Sequence, residues 1–108
     1  MLLAAGADAN AQAGVLGTPL DWACRTGQAE VAGLLIERGA IVDTCDVNGR
    51  TPLHLAALYG SSQVADLLIG KGADVTARDK EGKSPLAVAV EEGNNEMADL
   101  LRQHGAAQ

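Results

Sequence analysis

Phenylalanine is missing from this chain of 108 residues, and tryptophan and tyrosine occur once each. A core made without large rings has to come from Ala, Leu and Val, which suits many small, close-packed contacts between short helices better than one thick globular centre. Apolar residues still make up 47% of the chain, enough to bury a core within one domain of ordinary size. Basic residues are scarce, with 8 Lys and Arg against 14 Asp and Glu and a net charge of −6. Binding nucleic acid needs a basic face that neutralises phosphates, and an anionic membrane surface asks for the same, so neither is an expected partner.

Cysteine is limited to Cys24 and Cys45, with no His at zinc-ligand spacing from either, which argues against a metal site, and no disulfide between them is suggested. Long hydrophobic runs are lacking too. Met1-Leu2-Leu3-Ala4-Ala5 is too short for a signal-peptide core and nothing approaches a membrane span, so the expected location is the cytoplasm or nucleus. Neither a phosphate-cradling glycine pattern nor a nucleophile elbow appears, and no carboxylate pair faces a plausible cleft. The chain reads as non-catalytic and without a cofactor.

What the chain does have is repetition. Segments 33 residues apart align without a gap: Thr18-Pro19-Leu20, Thr51-Pro52-Leu53 and Ser84-Pro85-Leu86; Gly27, Gly60 and Gly93; Leu34-Leu35, Leu67-Leu68 and Leu100-Leu101; Gly39-Ala40, Gly72-Ala73 and Gly105-Ala106. Leu2, Gly6 and Ala7 keep the same register, so the organisation is one domain, 1–108. It comprises a partial repeat (1–12), full repeats (13–45 and 46–78) and a final unit (79–108).

Each unit carries its own boundary signals. A Thr or Ser hydroxyl followed by Pro starts a first helix at Pro19, Pro52 and Pro85. Leu53, Ala56 and Ala57 share a face, and Gly60 ends that helix. A second helix carries Val64, Leu67 and Leu68 at i, i+3, i+4, repeated as Val31, Leu34, Leu35 and as Met97, Leu100, Leu101, with Glu30 and Glu96 in first turns that favour negative charge. Gly39, Gly72 and Gly105 stop it. Between units, Asp46-Val47-Asn48-Gly49 and Asp79-Lys80-Glu81-Gly82 read as turns. Helices of about two or three turns are marginal alone in water, so each unit must bury its apolar stripe on a neighbour.

The run Asp46-Val47-Asn48-Gly49-Arg50-Thr51-Pro52-Leu53-His54-Leu55-Ala56-Ala57, followed by Gly60, Val64, Leu67-Leu68 and Gly72-Ala73-Asp74-Val75, closely resembles the ankyrin repeat, and the resemblance covers essentially the whole chain. It implies an all-α solenoid of stacked helix-turn-helix units joined by β-hairpin loops, with a curved groove that recognises another protein. The groove positions carried over are Gly14, Val15, Gly17, Arg25 and Thr26 in the first full repeat. They are Val47, Asn48, Arg50, Leu58 and Tyr59 in the second, and Lys80, Glu81, Lys83, Glu91 and Glu92 in the third. The resemblance also implies a structural, hydrogen-bonding role for His54 near the repeat junction.

The departures are informative. Ala13 and Leu16 replace the Asp and Gly expected at the first tip, and Ala87 stands where His54 stands. Arg102 replaces the apolar Ile36 and Ile69, and Glu91, Glu92, Asn94 and Asn95 make the last unit polar, as a C-terminal cap facing water would be. At the other end, Met1-Leu2-Leu3 would continue a second helix without its first, as expected of a fragment of a longer protein.

Among individual residues, Asp21 is expected to complete a capping box with Thr18, and His104 to favour the end of a helix. Trp22 and Cys24 take core positions, Cys24 in register with Ala57 and Val90, while Cys45 should be exposed in a loop. Leu58 and Tyr59 turn towards the groove as an exposed apolar–aromatic pair, with Arg25, Arg50, Lys80 and Lys83 as a charged rim. The function expected is therefore a scaffold or adaptor surface on a monomeric domain within a larger protein. The alternative is a regulatory segment of a multidomain enzyme or channel. The run Ala77-Arg78-Asp79-Lys80-Glu81-Gly82 and Ser84-Pro85-Leu86 resembles terminal repeats of Arf-type GTPase-activating proteins.

Overall fold

A computed structural model describes residues 18–46 and 48–105. Six helices follow in order: α1 (Pro19–Thr26), α2 (Ala29–Glu37), α3 (Pro52–Tyr59), α4 (Ser62–Gly70), α5 (Pro85–Glu91) and α6 (Asn95–Gln103). They form three helix pairs, α1 with α2, α3 with α4 and α5 with α6. The first members stack into an inner layer (α1 on α3 on α5) and the second members into an outer one (α2 on α4 on α6).

The starts lie where the Thr/Ser-Pro pairs predict them. Thr18 Oγ1 accepts from the Asp21 N–H at 3.2 Å and Asp21 Oδ2 accepts from the Thr18 N–H at 3.1 Å, a reciprocal capping box. Thr51 and His54 make the same exchange, with the imidazole Nδ1 accepting from the Thr51 N–H at 3.1 Å. Ser84 caps the Ala87 N–H at 3.2 Å, but Ala87 can return nothing. Each box satisfies backbone donors that the first turn leaves without a carbonyl.

The second helices begin differently. Gln28, Ser61 and Asn94 make no side-chain capping bond. Ser61 Oγ instead donates to the Cys24 carbonyl at 3.3 Å, and Asn94 Nδ2 donates to the Ala57 carbonyl at 2.7 Å. Both carbonyls lie in the last turn of the preceding unit's inner helix, where no N–H of that helix remains for them. The pegs stitch neighbouring repeats, and they rest on the left-handed Gly27 and Gly60, φ 70° and 73°. A Cβ at Gly27 would come within 3.3 Å of Ser61 Oγ.

The core is a set of columns at the 33-residue spacing. Leu20, Leu53 and Leu86, with Ala23, Ala56 and Ala89, are sealed in the inner layer; Leu35, Leu68 and Leu101, with Ala32, Ala65 and Ala98, are sealed in the outer one. The alanines let helix backbones approach closely, and each buried leucine contributes roughly 1.5–3 kcal/mol of transfer free energy. The expected outer stripe of Val64, Leu67 and Leu68 needs correction. Ala65 takes the third buried position, while Leu67 and Leu34 are 37% and 41% exposed. Leu67 leans sideways over Gly33 of the preceding unit rather than inward. Val90 also departs from its register partners Ala57 and Cys24. It is 44% exposed, because among the described residues no further inner helix lies beyond α5. Trp22 is half-buried against the core.

The units are joined by tight turns, and no strand occurs among the described residues, so the expected β-hairpin ladder is reduced to single closing bonds. Asp46 N–H donates to the Arg50 carbonyl at 2.9 Å and Gly49 N–H to the Asp46 carbonyl at 3.0 Å; Asp79, Lys83 and Gly82 repeat the arrangement. One tip then stacks on the next, as Lys80 N–H donates to the Asn48 carbonyl at 3.0 Å. Gly49 (φ 74°) is required twice there, by its left-handed backbone and because a Cβ would stand 2.9 Å from the Lys80 nitrogen.

Candidate partner-binding surface

The inner helices end in a row that reaches solvent. Thr26, Tyr59 and Glu92 are equivalent positions of successive units, and all three are exposed, Tyr59 to 51%. The row behind it is partly sunk: Arg25 and Leu58 are half-buried and Glu91 is exposed. Leu58 packs against the core, so the exposed pair expected at Leu58–Tyr59 is in fact one exposed ring next to a half-buried apolar residue. The α3 register decides this, since Leu58 follows Leu55 by three positions and shares its buried side.

The tips are held from inside by carboxylates. Asp46 Oδ1 accepts from the N–H groups of Asn48 (2.8 Å) and Arg50 (3.0 Å). Asp79 Oδ1 accepts from Glu81 and Lys83, both at 2.9 Å. Desolvation opposes the Asp79 charge, but these two backbone donors outweigh it and hold the carboxyl below the usual range. With backbones fixed in this way, the side chains of Asn48, Lys80 and Glu81 remain exposed at the tips.

The basic residues differ in how free they are. Lys83 is tied to Glu91 at 3.0 Å and to Glu81 at 3.8 Å, and the Glu91 hydrogen bond foremost raises its pKa. Arg25 turns into the junction rather than outward. Its Nη2 lies 3.6 Å from Asp46 Oδ2, and the Asp46 carboxylate is nearly inaccessible. Arg50 is half-buried and Lys80 exposed. Gly14, Val15, Gly17 and Val47 lie outside the described residues.

His54 has no role at this surface. It is fully buried, Nδ1 accepts from Thr51, and Nε2–H donates to the Lys83 carbonyl of the next unit at 2.7 Å. Desolvation by burial lowers its pKa and keeps the ring neutral, in the Nε2–H tautomer its partners demand. Cys24 is buried and its thiol is pushed far up by desolvation, which makes it inert, whereas Cys45 is exposed. Among the described residues no cluster of His, Cys, Asp and Glu could hold a metal ion, and no helix is long and apolar enough to cross a membrane.

The Ser61 and Asn94 pegs and the half-buried Arg25–Asp46 pair are not foreseen from the sequence. The pegs could have been found from their shared register with a polar residue directly after Gly60 and Gly93. The ion pair joins two units through the fold and leaves no local signature.

A family model described as ankyrin repeats (three copies) matches residues 1–79 and again residues 45–108. No match was found among curated proteins. Two overlapping matches that together span the entire chain, on a stack of helix pairs with Thr-Pro capping and left-handed glycines, establish that this chain belongs to the ankyrin repeat family, whose repeats generally serve as non-catalytic protein–protein interaction modules.

Proposed function

We propose that this chain is a scaffold or adaptor surface that holds a partner protein against its inner-helix row and repeat tips. The observation that carries this reading is Tyr59, the single tyrosine, half exposed at the end of the middle inner helix, next to Leu58, which packs against the core. An aromatic ring seated on a rigid helix loses little entropy on binding and is the usual energetic centre of an interface. Around it, Thr26 and Glu92 extend the row, while Asn48, Arg50, Lys80, Glu81, Lys83 and Glu91 form a polar rim on backbones fixed by Asp46 and Asp79. Rim charges set specificity and association rate more than affinity. Arg25 stands apart from them, as a residue that supports the tip through Asp46.

The test replaces Tyr59 and Arg50 together by Ala and measures partner capture alongside helicity. Loss of about 2 kcal/mol or more of binding, some thirtyfold, with unchanged helicity is the expected result. A folded double variant that captures the partner as well as the parent chain does would refute the reading.

A further inference from the structure

We propose that Asp21 is a proton-operated lock between the first two described repeats: uncharged, its carboxyl O–H donates to the backbone carbonyl of Arg50, and ionised, it leaves that contact unmade.

Asp21 and His54 are equivalent positions, and so are Arg50 and Lys83. In the later junction the Lys83 carbonyl accepts twice, from the Asp79 N–H at 2.9 Å and from His54 Nε2–H at 2.7 Å. In the earlier junction the Arg50 carbonyl accepts the Asp46 N–H at 2.9 Å in the same way, but the residue in the His54 register is Asp21, whose carboxylate has no hydrogen to give a second lone pair. Asp21 is wholly buried, its Oδ2 is engaged by the Thr18 N–H, and its Oδ1 has no hydrogen-bond partner. A buried carboxylate oxygen without a donor is costly, and one proton lowers that cost and supplies the hydrogen that His54 supplies in the later junction.

The titratable groups are set by the elements packed on α1, which are α2 and α3. On α1, Arg25 attracts the ionised form and the Cys24 thiol feels its charge; the loop entering α3 brings Asp46, which repels it. On α3 are the neutral His54 and the exposed Tyr59, and on α2 the exposed Glu30 and Glu37. Arg25 cannot neutralise two acids, and its Nη2 is directed to Asp46. Desolvation therefore dominates and pushes the Asp21 carboxyl up to about 6 from its ordinary 3.8. Since the folded value exceeds the unfolded one, this group's stabilisation is complete below the ordinary carboxylate range and is lost as pH rises through about 6. The lock also acts on the tip, because Asp46, relieved of its like-charged neighbour, is the group that fixes the backbones of Asn48 and Arg50.

The test has two arms. Carbon NMR of the unmodified chain follows the Asp21 carboxyl and the Arg50 carbonyl from pH 7.5 to pH 4. A shared midpoint near 6 is expected; a carboxyl titrating at its ordinary value, or one that titrates while the Arg50 carbonyl stays still, overturns the proposal. Urea unfolding of the chain and of D21N compares pH 7.5 with pH 5. Asn keeps the acceptor for Thr18 and always has an N–H to donate, so D21N should be the more stable at pH 7.5. The parent's ratio of folded to unfolded molecules should gain about tenfold on the variant's by pH 5. Parallel pH dependence of the two also overturns it, and if D21N does not fold the NMR arm decides alone.

Discussion

Position 21 of the first described unit, 54 of the second and 87 of the third hold Asp, His and Ala, three answers to one geometric demand. The site asks for a group that accepts from the cap residue's N–H and donates to the next unit's tip. Neutral imidazole does both, with Nδ1 towards Thr51 and Nε2–H towards Lys83. Replacing His54 by Ala should cost about 1–3 kcal/mol at pH 7.5, because the cap and the cross-unit bond go together and buried groups are left unpaired. Burial lowers the folded pKa of His54 below its unfolded 6.5, so its stabilisation is present above that value and lost as pH falls. The deficit of His54→Ala should therefore shrink towards pH 5 in urea titrations. A deficit constant across that range would contradict the neutral-ring assignment.

At the scale of elements, helix starts and stops were legible in the sequence, because Thr-Pro and Gly act through local backbone chemistry. Which face each helix buries was less so. Val64 and Leu68 are sealed, while Leu67 slides over Gly33, a choice made by the neighbouring helix and not by the period of α4. The candidate surface shows the same division. Counting from Pro52 places Tyr59 on an exposed row, but the same register puts Arg25 on the rim, whereas it turns inward to Asp46, an acid twenty-one residues away in the chain. Two predictions belong here. Asn94→Ala removes the peg on the Ala57 carbonyl and should cost about 1 kcal/mol, read as a lower urea midpoint with unchanged slope. Gly49→Ala adds a left-handed strain and a Cβ 2.9 Å from the Lys80 nitrogen, so it should loosen both tips and speed amide exchange at Lys80. An unchanged exchange rate there would show that the tips do not stack in solution.

Across the whole molecule, stability is a property of neighbours. The leucine columns are continuous through α1, α3 and α5 and through α2, α4 and α6, so no helix pair buries its own apolar face. Leu53→Ala, in the middle unit, should cost about 2–5 kcal/mol and lower the helicity of all three pairs together; loss confined to α3 and α4 would mean the units fold independently. This rigid stack is what makes an exposed ring on α3 useful for recognition, since it is presented with almost no freedom to lose. The decisive measurement is photo-crosslinking of the protein in cells, with the photoreactive side chain placed either at Tyr59 on the inner row or at the similarly exposed Leu34 of the outer layer. Partner adducts forming from position 59 and not from position 34 are the predicted result; adducts from position 34 alone would contradict a partner held on the inner face.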